Sequence, residues 1–176
     1  MKWLLRIAVG LVGLLVVLAG IGLLLPSQFK VERSVQIAAP ADRVYALIAD
    51  PREWKRWTVW NRRDPAMKME YGGAPAGAGA KWSWQSGSEG SGNMEFTEAK
   101  PGERIAYRLS FPEFGMQSSG LLTIVPTGDG VRVTWTNEGD MGASPVSRWF
   151  GLFMDRLVGP DFEGGLANLK RLAEGA

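Results

Sequence analysis

The chain has 176 residues, with 20 Lys or Arg against 18 Asp or Glu and 45% hydrophobic residues, a balance that suits one globular domain with an appendage and not a disordered chain. It contains no His and no Cys, which excludes thiol and Ser-His nucleophiles, Cys/His zinc sites and imidazole acid-base chemistry. Any chemistry is left to carboxylates, Lys, Tyr, hydroxyls or the backbone, and the eight Trp mark places where a large apolar body needs a polar edge.

From Trp3 to Leu25 only Arg6 is charged. A helix of that length spans roughly 34 Å, enough to cross a hydrocarbon core of about 30 Å. The run ends in Leu23, Leu24, Leu25 and Pro26, not in the small residues of a signal-peptide cleavage site, so residues 1–29 are expected to be an uncleaved transmembrane anchor. Its glycines form no GxxxG pair and read as ordinary membrane-helix residues. Lys2 and Arg6 are the only charges before Lys30, so the rest of the chain carries as many basic as acidic residues. A neutral domain argues against nucleic acid as a partner. The two cations ahead of the span, with the free amino group, outweigh Lys30 and Arg33 behind it, which predicts an N-terminus in the cytoplasm and a domain on the outer, periplasmic side of the cytoplasmic membrane.

Residues 30–176 show no long linker and no repeat, and read as one domain. Phe29, Val31, Arg33, Val35 and Ile37 alternate as a first strand. Ala39-Pro40 ends it, and Asp42 or that Ala-Pro turn starts a short helix with Val44, Tyr45, Leu47 and Ile48 on one face, closed by Asp50-Pro51. A segment with Trp54, Trp57 and Trp60 three residues apart follows, carrying Arg52, Lys55, Arg56, Arg62 and Arg63. Interleaved Trp and cations suit a lipid headgroup layer, so contact with a bilayer or an anionic ligand head is weighed there against a packed helix-turn segment with a solvated basic face. Alternation then returns at Met67, Met69, Tyr71; at Trp82, Trp84; at Met94, Phe96; and from Ile105 to Phe111, with Gly- and Pro-rich turns between. The glycines from Gly72 to Gly92 lack the residues of a phosphate loop and read as hairpin turns. Two more strands, Leu121 to Val125 and Val131 to Asn137, flank Thr127-Gly128-Asp129-Gly130. In the first of them Leu121/Val125 and Leu122/Ile124 compete for the buried phase. After Ser144-Pro145 a continuous apolar stripe runs through Val146, Trp149, Phe150, Phe153, Met154, Leu157 and Val158, and Gly159-Pro160 is expected to kink it before Phe162, Leu166, Leu169 and Leu172 resume it.

The predicted fold class is therefore α+β: a curved antiparallel sheet of about six to seven strands gripping a long C-terminal helix, preceded by one N-terminal transmembrane helix. The order of elements, with PADRVYALIADPREWKRW after the first strand and DFEGGLANLKRL in the closing helix, resembles the START-related helix-grip superfamily (SRPBCC) in its polyketide cyclase/dehydrase and lipid-transport branch. The resemblance covers residues 30–174. It implies a hydrophobic cavity between sheet and helix that holds lipids, polyketides, sterols or similar molecules, and it does not choose a reaction. It also sets the basic Trp segment, Trp60 included, near the cavity entrance.

The inward phase supplies the candidate ligand-binding residues Met69, Trp82, Trp84, Met94, Phe96, Tyr107, Leu109 and Trp135, facing Phe150, Phe153, Met154 and Leu157 from the closing helix. Large soft side chains suit an adaptable site as well as a packed core. Glu98 and Asn137 prolong two apolar phases and are candidates to orient a polar head, against a solvated position near the strand ends. Carboxylate pairs such as Asp155 with Glu163 read as solvated. No catalytic residue is singled out, Glu98 being the least poor proton-transfer candidate, and neither metal nor cofactor is expected. These residues point first to membrane-anchored binding or transport of a hydrophobic small molecule or lipid. The alternatives are a cyclase/dehydratase-type enzyme acting on an apolar substrate and a ligand-free interaction domain at the membrane surface.

Overall fold

The computed structural model describes residues 2–175. Helix α1 (Lys2–Leu24) leads into β1 (Gln28–Ile37), three short helices α2 (Ala41–Ala49), α3 (Pro51–Trp57) and α4 (Trp60–Arg63), strands β2 (Lys68–Gly73), β3 (Ala80–Ser86), β4 (Gly90–Lys100), β5 (Arg104–Phe111), β6 (Met116–Thr127) and β7 (Gly130–Asp140), then α5 (Pro145–Gly151) and α6 (Met154–Glu174). The seven strands form one antiparallel sheet in the order β1-β7-β6-β5-β4-β3-β2. It is an α+β fold in which one face of the sheet is buried under α6 and the short helices. Alternation made this legible, because each strand shows the core every second side chain: Trp82, Met94, Phe96, Ile105, Tyr107, Val133 and Trp135 are all buried.

In β6 the buried phase is Leu122 and Ile124, while Val125 is exposed. The competing phase loses because Leu122 lies opposite Trp135 and Ile105 on the two flanking strands, whose inward faces it must share. The three-residue spacing of Trp54 and Trp57 is the inner face of α3, and both indoles are buried. Trp54 Nε1 donates to the Ile48 carbonyl at 2.8 Å and Trp57 Nε1 to that of Leu47 at 3.0 Å. These carbonyls belong to the last turn of α2, where a helix leaves acceptors without intrahelical donors. The two indoles are thus spoken for inside the protein and do not reach a bilayer.

The closing helix does not run as one stripe. It breaks after Gly151, where the Phe153 N–H turns back onto the Phe150 carbonyl at 2.9 Å, and α6 then continues through Gly159-Pro160 as helix. The expected kink is therefore displaced by about two turns. The cause is that the two segments have different partners: α5 packs along α1, whereas α6 packs across β1. Arg33 of β1 secures the second arrangement. Its Nη1 donates to Asp155 Oδ1 at 2.7 Å and its Nε to Glu163 Oε1 at 2.6 Å, with the guanidinium lying across Gly159, where a Cβ would come within 2.1 Å of Nη2. Asp155 and Glu163 are thus a clamp on Arg33 and not two free surface carboxylates.

Strand register also gives the sheet a polarity. Gln28 pairs with Asp140, Gly139 with Ser118, Phe111 with Met116, Asn93 with Ser110 and Trp84 with Gly92. The starts of β1, β4 and β6 and the ends of β3, β5 and β7 consequently share the end of the sheet from which α1 departs. The Met141 N–H, donating to the Ser27 carbonyl at 2.7 Å, ties the exit of β7 to the same place.

Candidate functional site

Between the sheet and the helices, on the α1 side, lie two adjacent apolar lobes of ≈ 110 Å³ and ≈ 140 Å³. Trp60, Met94, Leu109 and Phe111 line both, so they form the partition between them. The first lobe is otherwise built from Trp54, Met67, Met69, Trp82 and Trp84, with Thr58, Asn61 and Glu89 at its polar edge. The second extends under α6, to Met154, Val158 and Phe162, and across β5, β6 and β7 to Tyr107, Met116, Trp135 and Asn137. Neither lobe alone approaches the roughly 300–1,000 Å³ of a drug-sized site. Aromatic packing accounts for the lost volume: Trp54 has Trp57, Trp82, Phe96, Tyr107 and Trp135 within 5.9 Å of its ring centroid, and Trp135 stacks on Phe162 at 3.8 Å and 4°.

The second lobe contains a polar knot built from three side chains. Trp135 Nε1 donates to the Tyr107 hydroxyl at 2.9 Å, and Asn137 Nδ2 donates to the same oxygen at 3.3 Å. The Tyr107 ring lies flat across Gly120, its partner on β6, where any Cβ would fall 1.8 Å from the ring. Only glycine admits that approach. Burial pushes the Tyr107 phenol up to about 12, against the weaker opposing pull of its two donors. Because the oxygen accepts twice, its own proton is left to donate into the lobe.

At the mouth, α4 is latched from both sides. Asp161 of α6 accepts from Trp60 Nε1 at 2.8 Å and from Arg63 Nη2 at 2.5 Å, and Arg63 Nε also pairs with Glu89 of the β3–β4 turn at 3.2 Å. Arg63 therefore bridges the sheet side and the helix side of the opening. Among the described residues no three His, Cys, Asp or Glu stand together as a metal group.

Of the residues expected from the sequence, the structure brings Trp60, Met69, Trp82, Trp84, Met94, Tyr107, Leu109, Trp135, Asn137 and Met154 onto the lobes. Phe96 lies beneath them, fully buried against Trp82. Glu98 does not continue the inward phase. The register slips between Phe96 and Glu98, and the bulge turns the carboxylate outward to Arg104, which donates to it at 2.6 Å. Asn137 does the opposite of a strand-end residue and is buried on Tyr107. Phe150, Phe153 and Leu157 do not face the sheet; they line a separate groove beside α1. Sequence reasoning missed Trp54, Met67, Phe111, Met116, Glu89, Asp161 and Phe162. For Phe111 and Phe162 the alternation and the helical stripe already carried the signal, whereas Glu89 and Asp161 are recognisable only through their common partner Arg63.

A family described as polyketide cyclase / dehydrase and lipid transport matches residues 28–174. No curated protein matches. Among solved structures, protein CV1439 from Chromobacterium violaceum is 22% identical, with 85% of this chain and 99% of that one covered at a TM-score of 0.55. A protein from Thermobifida fusca is 24% identical, with 82% and 92% covered at 0.62. The di-domain ARO/CYC StfQ of the steffimycin biosynthetic pathway is 15% identical, with 84% of this chain and 51% of StfQ covered at 0.58. At such identities the likeness is one of fold.

Proposed function

Because this chain belongs to the polyketide cyclase / dehydrase and lipid transport family, we propose that it binds a slender hydrophobic small molecule or a lipid chain in the two lobes, held at a membrane by α1. The observation that carries this reading is the pair of apolar lobes with Met94 in their partition. Met is unbranched and adaptable, so its rotation joins the lobes into one channel, and the small static volume selects a narrow ligand over a fused-ring one. The Tyr107 proton then meets the ligand's polar atom at the inner end. Membrane attachment rests on the 23-residue helix α1, in which an 18-residue stretch has a mean hydropathy of 2.8 and only Lys2 and Arg6 are charged. The charge balance across it favours the domain on the periplasmic face.

The test is mass spectrometry of the full chain purified in a mild detergent whose own mass is distinguishable, followed by titration with a fluorescent fatty acid. A stoichiometric co-purified lipid, or saturable uptake of the probe that Met94→Trp weakens, supports binding in the lobes. Uptake that is unaffected by Met94→Trp places the ligand elsewhere and refutes the reading.

A cyclase-type reaction is the second reading, and the Tyr107 hydroxyl favours it as a positioned proton donor in an apolar lobe. The lobe's carboxylate, Asp161, is already committed to Trp60 and Arg63. Turnover of a poly-β-ketone thioester, lost in Tyr107→Phe while its binding is retained, would support catalysis.

A further inference from the structure

Among the described residues outside α1, seven large apolar side chains are strongly exposed, and five of them, Val146, Phe150, Leu152, Phe153 and Leu157, lie on α5, the break that follows it and the first turn of α6. Phe150 is 61% exposed and Val146 69%, more than a water-facing elbow of a soluble domain would carry in one patch. The elbow is also fastened to α1. Trp149 Nε1 donates to the Leu18 carbonyl at 3.0 Å, Arg148 Nη1 to that of Leu23 at 2.6 Å, and Pro145 sits on Gly22, where a Cβ would meet it at 2.8 Å. Leu18 lies six residues before the end of α1, so the elbow reaches about 9 Å below that end along the helix axis. The groove between them, ≈ 820 Å³ and lined almost wholly by carbon, extends further down to Leu15.

We propose that Val146–Leu157 forms a monotopic elbow that dips beside α1 into the acyl layer of the leaflet next to the domain. The inference rests on the reading of α1 as a membrane span. Its depth and its continuity with α1 commit the occupant of the groove to lipid acyl chains. Arg148 near the end of α1 is spent on the carbonyls of Gly142, Leu23 and Leu25, whereas Arg156 borders the groove, placed to meet headgroup phosphates while its stem lies along apolar surface. The consequence bears on the lobes. Phe153 and Leu157 line the groove, and Met154 and Val158, on the other side of the same turn, line the second lobe. One helical turn is then the wall between stored ligand and leaflet, and the mouth at that end of the sheet faces lipid.

The absence of Cys permits a clean depth measurement on the full chain. Single variants Leu11→Cys, Phe150→Cys, Val146→Cys and Asp129→Cys, the last in the turn at the opposite end of the sheet, are labelled with a nitrobenzoxadiazole dye. They are reconstituted in vesicles of phosphatidylcholine and phosphatidylglycerol. The expected result is several-fold stronger quenching by doxyl lipid than by aqueous iodide at residues 11, 146 and 150, and the reverse at 129. If 11 is lipid-quenched but 146 and 150 behave like 129, the elbow is in water and the inference is overturned while the span stands. If 11 also behaves like 129, the span itself fails and takes the elbow with it. Shielding of 146 and 150 from both quenchers, relieved by dilution into excess lipid, would put a second copy of the chain on the face and overturn lipid as its occupant.

Discussion

Replacing Tyr107 with Phe tests the interior in two independent ways. At neutral pH the variant strips Trp135 Nε1 and Asn137 Nδ2 of their common acceptor, and both side chains are buried. An unsatisfied buried donor costs about 1–3 kcal/mol, so two of them predict a loss of about 2–4 kcal/mol once partial hydration through the lobe is allowed for. With a urea slope of about 1–3 kcal/mol/M, the midpoint falls by roughly 1–2 M. The second signature is alkaline. The phenol of the folded chain is pushed up to about 12, while in the unfolded chain it titrates near 10. The unfolded state therefore releases this proton first, and ionisation favours unfolding throughout that interval. Wild-type stability below pH 10 carries the full benefit of the neutral phenol and loses about 3 kcal/mol of it as pH rises to 12.

The variant has no phenol at this position and lacks that loss. Urea unfolding of both chains in lipid nanodiscs, followed by tryptophan fluorescence at steps from pH 8 to pH 12, yields the margin of wild type over Tyr107→Phe. Taking the difference removes Tyr45, Tyr71 and the lysines, which titrate alike in both. The margin is expected to shrink toward zero at the alkaline end. A margin that stays constant across the series would mean that Tyr107 ionises as an exposed phenol, and the account of the buried knot would be wrong. A neutral-pH margin near zero would mean that water already satisfies the two donors.

Trp57→Ala empties a fully buried site and is expected to cost about 3–5 kcal/mol; vesicle association that declines only in parallel with unfolding is the expected outcome for an indole bonded to Leu47 and not to lipid. Met94→Trp overfills the partition between the lobes at about 1–3 kcal/mol, so fluorescent fatty-acid affinity should drop roughly tenfold, measured by titration beside an unchanged circular-dichroism spectrum. Arg33→Met releases Asp155 and Glu163. The hydrogen bond from Arg33 holds the Asp155 carboxyl below its usual range, so its contribution is present above about pH 4 and is lost as pH falls through the depressed folded value. The thermal midpoint of the variant should lie below wild type at neutral pH and converge with it in acid.

Period-two alternation made the sheet legible, because a strand's inner face is a property of the strand alone. Glu98 shows the limit: one bulge between Phe96 and Glu98 reverses the phase, and nothing in MEFTEAK marks it. The α3 tryptophans failed differently. Spacing with interleaved cations describes a face equally suited to lipid or to a core, and the choice was made by the free carbonyls of Leu47 and Ile48 in another helix. The stripe from Val146 to Val158 is apolar throughout but is not one surface. Periodicity reports that a face needs cover but not which element provides it, and here two do. The Trp149 bond to Leu18 draws the first half onto α1, while the Arg33 clamp draws the second onto the sheet. The helix breaks between them at Leu152-Phe153, since one straight axis cannot satisfy both. The elbow is therefore the point where the demands of α1 and of the lobes meet, and its apolar side chains belong to the first while Met154 and Val158 behind them belong to the second.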